Sequence, residues 1–129
     1  MTRAVQAAIS FGEAADKITI LTIKSERLAD AEKLDNVRKE LALLGAAFRA
    51  QAPQVPGFDD LFAQLKAVNE TLWAIEDDIR HCEARGDFGE GFVALARAVY
   101  KTNDRRAQIK RAIDALLGSE IREEKSYRG

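Results

Sequence analysis

Apolar residues recur along this chain at alternating steps of three and four, the spacing of one face of an α-helix. The clearest run is Leu61, Leu65, Val68, Leu72, Ile75, Ile79 and Cys82. It predicts a long third helix ending near Arg85–Gly86, with the glycine as its C-terminal stop. Leu34, Val37, Leu41, Leu44 and Phe48 predict a second helix, capped by Asp30. The first helix is expected from about Phe11 to Leu28, around Ala14, Ile18 and Leu21, with Ile20 and Ile23 widening the stripe. Its β-branched ITILTI run resembles a strand, yet Glu13, Lys17, Lys24 and Arg27 at helical spacing favour a helix. A fourth helix carries Phe92, Leu95, Ala96 and Val99. Thr102 or Asn103 is expected to interrupt it and to cap a fifth, which packs through Ile109, Ile113, Leu116 and Leu117 and stops at Gly118.

Between these runs the punctuation is sparse. QAPQVPGFDD, at 51–60, holds both prolines of the chain and a glycine, and reads as a linker. SFGE at 10–13 returns as DFGE at 87–90, and both read as helix starts. Ser10 or Asp87 would accept from the N–H three residues on while Glu13 or Glu90 reaches back. The Asp-Phe-Gly in the second copy is also found in protein kinases. That chemistry needs a Gly-rich loop, a strand lysine and a catalytic-loop aspartate, and none occurs here. The fold class expected is therefore all-α: one domain over 1–129, a compact bundle of four to five helices with the third central. Its expected core is Ile18, Leu21, Leu41, Leu44, Leu65, Val68, Leu72, Ile75, Ile79, Phe92, Val99, Ile109 and Ile113. Residues 4–9 could pair as a short strand with the polar tail at 119–129, which otherwise stays free.

Composition sharpens this outline. At 129 residues the chain is long enough to bury roughly two-thirds of its unfolded surface. Hydrophobic residues make up 47% and charged residues 32%, a globular balance. The net charge of −1 argues against a dedicated nucleic-acid binder. No apolar run is long enough to span a bilayer, and the start is too short and polar for a signal peptide. The lone Cys82 leaves no disulfide framework, so a reducing, cytoplasmic setting is expected.

Three groups of polar residues are candidates for chemistry. Asn69, Trp73, Glu76 and Arg80 share one side of the third helix, with Asp77 beside them, and could line a polar pocket; a half-buried tryptophan with a surface Glu76–Arg80 pair is the favoured account of them. Residues 97–111 hold six basic side chains against Asp104 alone. There a helix start at Thr102 and Asn103, with Arg105, Arg106 and Arg80, would form an anion site; a solvated basic face is the alternative. Asp16, Lys17, Thr19, Lys24 and Arg27 bring charge into the first helix. Of these, Asp16 and Arg27 fall on the same side as Ile23, turned to the bundle or paired at its surface. His81 and Cys82 are adjacent and diverge by about 100° on a helix, so they cannot share a metal. No metal site, cofactor or nucleophilic triad is expected.

DKITILTIKSERL with KLDNVRKEL, LWAIEDDIR, DFGEGFVALARAVYKTNDRRAQIKRAI and GSEIREEKSY resemble a small bacterial protein family of unknown function. The resemblance covers nearly the whole chain outside 45–60. It implies a self-contained domain, sometimes encoded near cell-surface polysaccharide and glycosyltransferase genes, and carries no catalytic residues with it. Lys24, Arg27 and Arg38 loosely resemble part of a helical chorismate-mutase pocket. EDD at 76–78 resembles helical nucleotide pyrophosphohydrolases, but the partner acids on a second helix are missing.

Of two functions the first is favoured, because no nucleophile, metal set or phosphate loop stands out. One is a non-enzymatic binding or assembly module with a protein partner, or a second copy, on its helix faces. The other is a small enzyme or binding protein for an anionic metabolite, such as a phosphorylated sugar or sugar nucleotide. A deep pocket lined by charges from three helices would favour the second, and an exposed apolar face the first.

Overall fold

A computed structural model describes residues 3–122 and 124. Four helices follow in order: α1 (Phe11–Arg27), α2 (Ala31–Gln51), α3 (Phe58–Arg85) and α4 (Glu90–Leu117). The all-α class is as the periodicity predicts. No strand occurs among the described residues, and residues 4–9 form none. Most of their expected partner segment lies outside the described residues.

Local chemistry sets the ends. Ser10 caps α1, its Oγ accepting from Glu13 N at 3.0 Å, and Asp30 caps α2 by accepting from Lys33 N at 3.0 Å. The reciprocal half of the first box is not made, because the Glu13 carboxylate accepts from Lys110 Nζ at 2.7 Å instead. DFGE differs more. α4 starts at Glu90 with Gly89 in the cap position, and Asp87 Oδ1 accepts from Gly89 N at 3.2 Å, closing a turn ahead of the helix. Gly86, at φ +67°, ends α3 in a left-handed turn in which Asp87 N donates to Cys82 O at 2.9 Å.

Two expectations are corrected. The break at Thr102–Asn103 is absent, and α4 runs unbroken for 28 residues. Neither residue is a proline or glycine, and α3, also 28 residues long, supplies a neighbour along the full length. Nor is α3 central. α1 packs against all three other helices, whereas α2 lies along α1 and meets α3 where Phe48 stacks on Phe58, and α3 packs against α1 and α4.

Length then decides where the core lies. α1 has 17 residues, so it spans roughly 25 Å beside a hairpin of roughly 42 Å. The distal part of that hairpin, near its turn, has no third helix. Every buried residue of α4 accordingly lies at Ala107 or beyond. Ala15, Leu65, Ile109, Ile113 and Leu117 form the central cluster, extended by Phe11, Phe48, Phe58 and Phe62. Of the expected core, Leu21, Leu65, Ile75, Ile109 and Ile113 are buried. Ile18, Leu41, Leu44, Val68, Leu72, Ile79, Phe92 and Val99 are only half-buried. α2 lies chiefly along α1 and reaches α3 at its Phe48 end, and the distal hairpin covers itself on one side.

Candidate functional site

Beyond the apolar cluster, several polar groups are buried as deeply as Leu21 and Ile23 or nearly so. Asp16 of α1 is 1% exposed, Thr19 and Asp114 0%, Asn69 5% and Lys110 5%. Arg106 of α4 grips Asp16 with both arms of its guanidinium, Nε to Oδ1 at 2.9 Å and Nη2 to Oδ2. Asn69 of α3 donates one amide hydrogen to Asp16 Oδ1 at 2.9 Å and the other to Thr19 Oγ1 at 2.7 Å. Thr19 Oγ1 in turn donates to Asp16 O at 2.7 Å. Lys110 bonds Glu13 and lies 3.9 Å from Asp16 Oδ2. Three helices are thus tied through one carboxylate, and the charges of Asp16 and Lys110 are matched by opposite charges, whereas Asp114 accepts from Gly12 N through Oδ1 and its Oδ2 has no hydrogen-bond partner among the described residues.

Outside this lock lies a cleft of about 740 Å³ between α1, α3 and α4. α1 contributes Ile20, Ile23 and Lys24. α3 contributes Asn69, Leu72, Trp73, Glu76, Asp77 and Arg80. α4 contributes Asn103 and Arg106. Arg27 stands over the Trp73 ring, 5.8 Å from its centroid, and pairs with Glu70 at 3.6 Å. Glu76 and Arg80 pair at 3.8 Å at the exposed rim.

Eight of the polar candidates singled out in the sequence therefore meet in one cleft: Lys24, Asn69, Trp73, Glu76, Asp77, Arg80, Asn103 and Arg106. Thr102 and Arg105 do not join them. Arg105 points elsewhere, its Nη2 donating to Gln64 Oε1 at 3.0 Å, because adjacent helical residues diverge. The helix start expected at Thr102–Asn103 is not formed. Thr102 and Asn103 sit inside α4, where backbone N–H groups are taken up by the helix, and Arg106 is engaged by Asp16. The group that the sequence did not assemble is Glu13, Lys110 and Asp114. Its one local signal is the spacing of Arg106, Lys110 and Asp114, a row of i, i+4 steps continuing the apolar side of α4.

Among the described residues no three His, Cys, Asp or Glu side chains stand together to hold a metal ion. No helix among them is long and apolar enough to cross a membrane.

The family model for a family of unknown function, DUF6165, matches residues 5–129, and the chain belongs to that family. No curated protein and no solved structure matches it.

Proposed function

We propose that this family member is a helical assembly module that self-associates through the distal half of the α3–α4 hairpin. One observation carries the reading. Phe92, Ala96, Val99, Asn103, Arg106 and Lys110 fall at alternating steps of four and three along one side of α4. At Arg106 and Lys110 this side is polar and held by Asp16 and Glu13 of α1. At Phe92, Ala96 and Val99 it is apolar and lies beyond α1. Val93 and Tyr100 border it, 51% and 54% exposed, and Phe88 at the hairpin turn is 55% exposed. Phe92 and Val99 are half-buried here, while Ala96, Val93 and Tyr100 are exposed, so part of this apolar side stays open, the pattern of a surface completed by a partner.

Analytical ultracentrifugation over a broad range of protein concentration tests this. The wild type is expected to exceed the 14.3 kDa of one chain, and the Val93→Lys/Tyr100→Glu variant to fall back to it. Since both side chains are exposed, the unfolding midpoint should hardly change at concentrations low enough for both proteins to be monomers. A wild type that stays at 14.3 kDa throughout overturns self-association.

A second reading is favoured by the meeting of charges from three helices in the cleft beside Trp73. In it, the cleft binds a small anionic metabolite through Lys24 and Arg80, with Asn103 and the indole as further contacts. The resemblance to bacterial proteins encoded near polysaccharide genes makes sugar nucleotides the first ligands to test, and a cytoplasmic setting goes with both readings. A thermal-shift series with sugar nucleotides, phosphates and dicarboxylates should raise the melting temperature of the wild type for one class. The Lys24→Ala/Arg80→Ala variant should lose that rise. Equal shifts in both proteins, or none in either, would sink this reading.

A further inference from the structure

At the opposite end from the distal hairpin, the close of α2, the 52–57 connection and the start of α3, with Ile18 of α1, line an open pocket of about 670 Å³. That volume lies within the roughly 300–1,000 Å³ of small-molecule sites. Its walls are apolar: Phe48, Phe58 and Phe62, with Val55 in the connection. Phe48 stacks on Phe58 at 5.4 Å between centroids, and Phe58 meets Phe62 at 5.7 Å. Pro53 and Pro56 fix the connection, so this wall is formed before any ligand arrives.

One cation faces this apolar space. Arg49 lines the pocket and takes part in no ion pair among the described residues. Its guanidinium folds back over the preceding turn of α2. A Cβ at position 45 would lie 3.1 Å from Arg49 Nη1, so glycine at that position leaves room for the fold-back. Gly45 is also the only buried residue of α2. Asp59, the single anion lining the pocket, does not reach Arg49 within ion-pair distance and would repel a second negative charge on a ligand.

We infer that this pocket binds an amphiphilic monocarboxylate, with its aliphatic or aryl body against Phe48, Phe58 and Phe62 and its head group on Arg49. The planar guanidinium matches a carboxylate through two parallel hydrogen bonds. Phosphate monoesters fit less well, because their second charge faces Asp59.

The site is independent of the assembly reading and is tested by a separate measurement. Octanoate, octanol and octylamine are titrated into the full chain while backbone amide shifts are followed by NMR. Saturable shifts for octanoate are expected to centre on Gly45, Arg49 and Val55, with octanol at least about tenfold weaker, given the worth of a hydrogen bond to a charged group. Arg49→Gln should weaken octanoate by a similar factor and leave octanol unchanged, and Arg49→Lys should recover part of the loss. Arg49 is exposed, so both variants should keep the wild-type spectrum elsewhere. Octanoate binding equally to wild type and Arg49→Gln, shifts centred on another part of the molecule, or no saturable shift at all would each overturn the inference.

Discussion

Replacing Asp16 by leucine is expected to lower the stability of this domain by about 3–5 kcal/mol, the usual cost of removing one partner of a buried ion pair. The carboxylate is 2% exposed while Arg106 is 28% exposed, so the loss falls unevenly on the groups that Asp16 serves. Arg106 can turn part of its guanidinium to the cleft and to water. Asn69 cannot, because at 5% exposure both its amide hydrogens depend on Asp16 and Thr19. Lys110 keeps Glu13. Most of the penalty therefore arises at Asn69 and at the desolvated part of Arg106. Removing both charges in Asp16→Leu/Arg106→Leu should return part of the stability, since the desolvation of the ions is then avoided. Urea unfolding checks this through the midpoint at unchanged slope. A loss below about 1 kcal/mol for Asp16→Leu would mean that the network contributes no more than a surface pair.

The network also shows which parts of the fold are legible in the sequence. Caps and stops are local chemistry: Ser10 and Asp30 act on N–H groups three residues away, and Gly86 and Gly118 take left-handed turns that other residues resist. They can be read directly. The partners of Asp16 lie 53 residues away at Asn69 and 90 away at Arg106, and no spacing rule reaches across such distances. Polar residues on an inward stripe are easily assigned to solvent, and so the polar core stays hidden while its apolar neighbours are found. The supposed break at Thr102–Asn103 has the same origin. Two residues that favour caps look like a boundary, but the alternating steps of four and three continue through Asn103, and tertiary packing on α3 outweighs the weak local preference.

For the cleft, the stripe Asn69, Trp73, Glu76 and Arg80 is visible because helical spacing alone puts it on one side of α3. Its companions, Lys24, Asn103 and Arg106, come from other helices, and only the packing of α1 against the hairpin brings them there. The distal apolar side is legible as periodicity but not as exposure. Exposure depends on α1 being shorter than its neighbours, and the residues of α4 carry no record of that.

Gly12→Ala provides a test in which helix propensity and packing predict opposite signs. Alanine is the better helix former by about 1 kcal/mol, so propensity alone predicts a gain. The position is, however, where α1 and α4 approach most closely among the contacts described for glycine. An added Cβ would fall 2.3 Å from the Lys110 carbonyl oxygen and 2.9 Å from Asp114 Oδ1. Backbone cannot swing aside as a side-chain tip can, so the helices must separate. Separation stretches the bond from Gly12 N to Asp114 Oδ1, now 2.6 Å, and the one from Phe11 N to Ser119 Oγ, now 3.3 Å. These two bonds, with Glu13 N on Ser10 Oγ, satisfy the first three N–H groups of α1, and the Asp114 carboxylate sits at the positive end of the helix. Overpacking typically costs about 1–3 kcal/mol, and the strained hydrogen bonds add to it. A net loss of about 2 kcal/mol or more is expected, measured by chemical unfolding. Gly91→Ala supplies the control. It lies in the first turn of α4 with nothing within 4 Å of an added Cβ, and should be neutral or stabilising by a few tenths of a kcal/mol or more. If Gly12→Ala matches Gly91→Ala in sign, the close approach of α1 to α4 does not hold in solution.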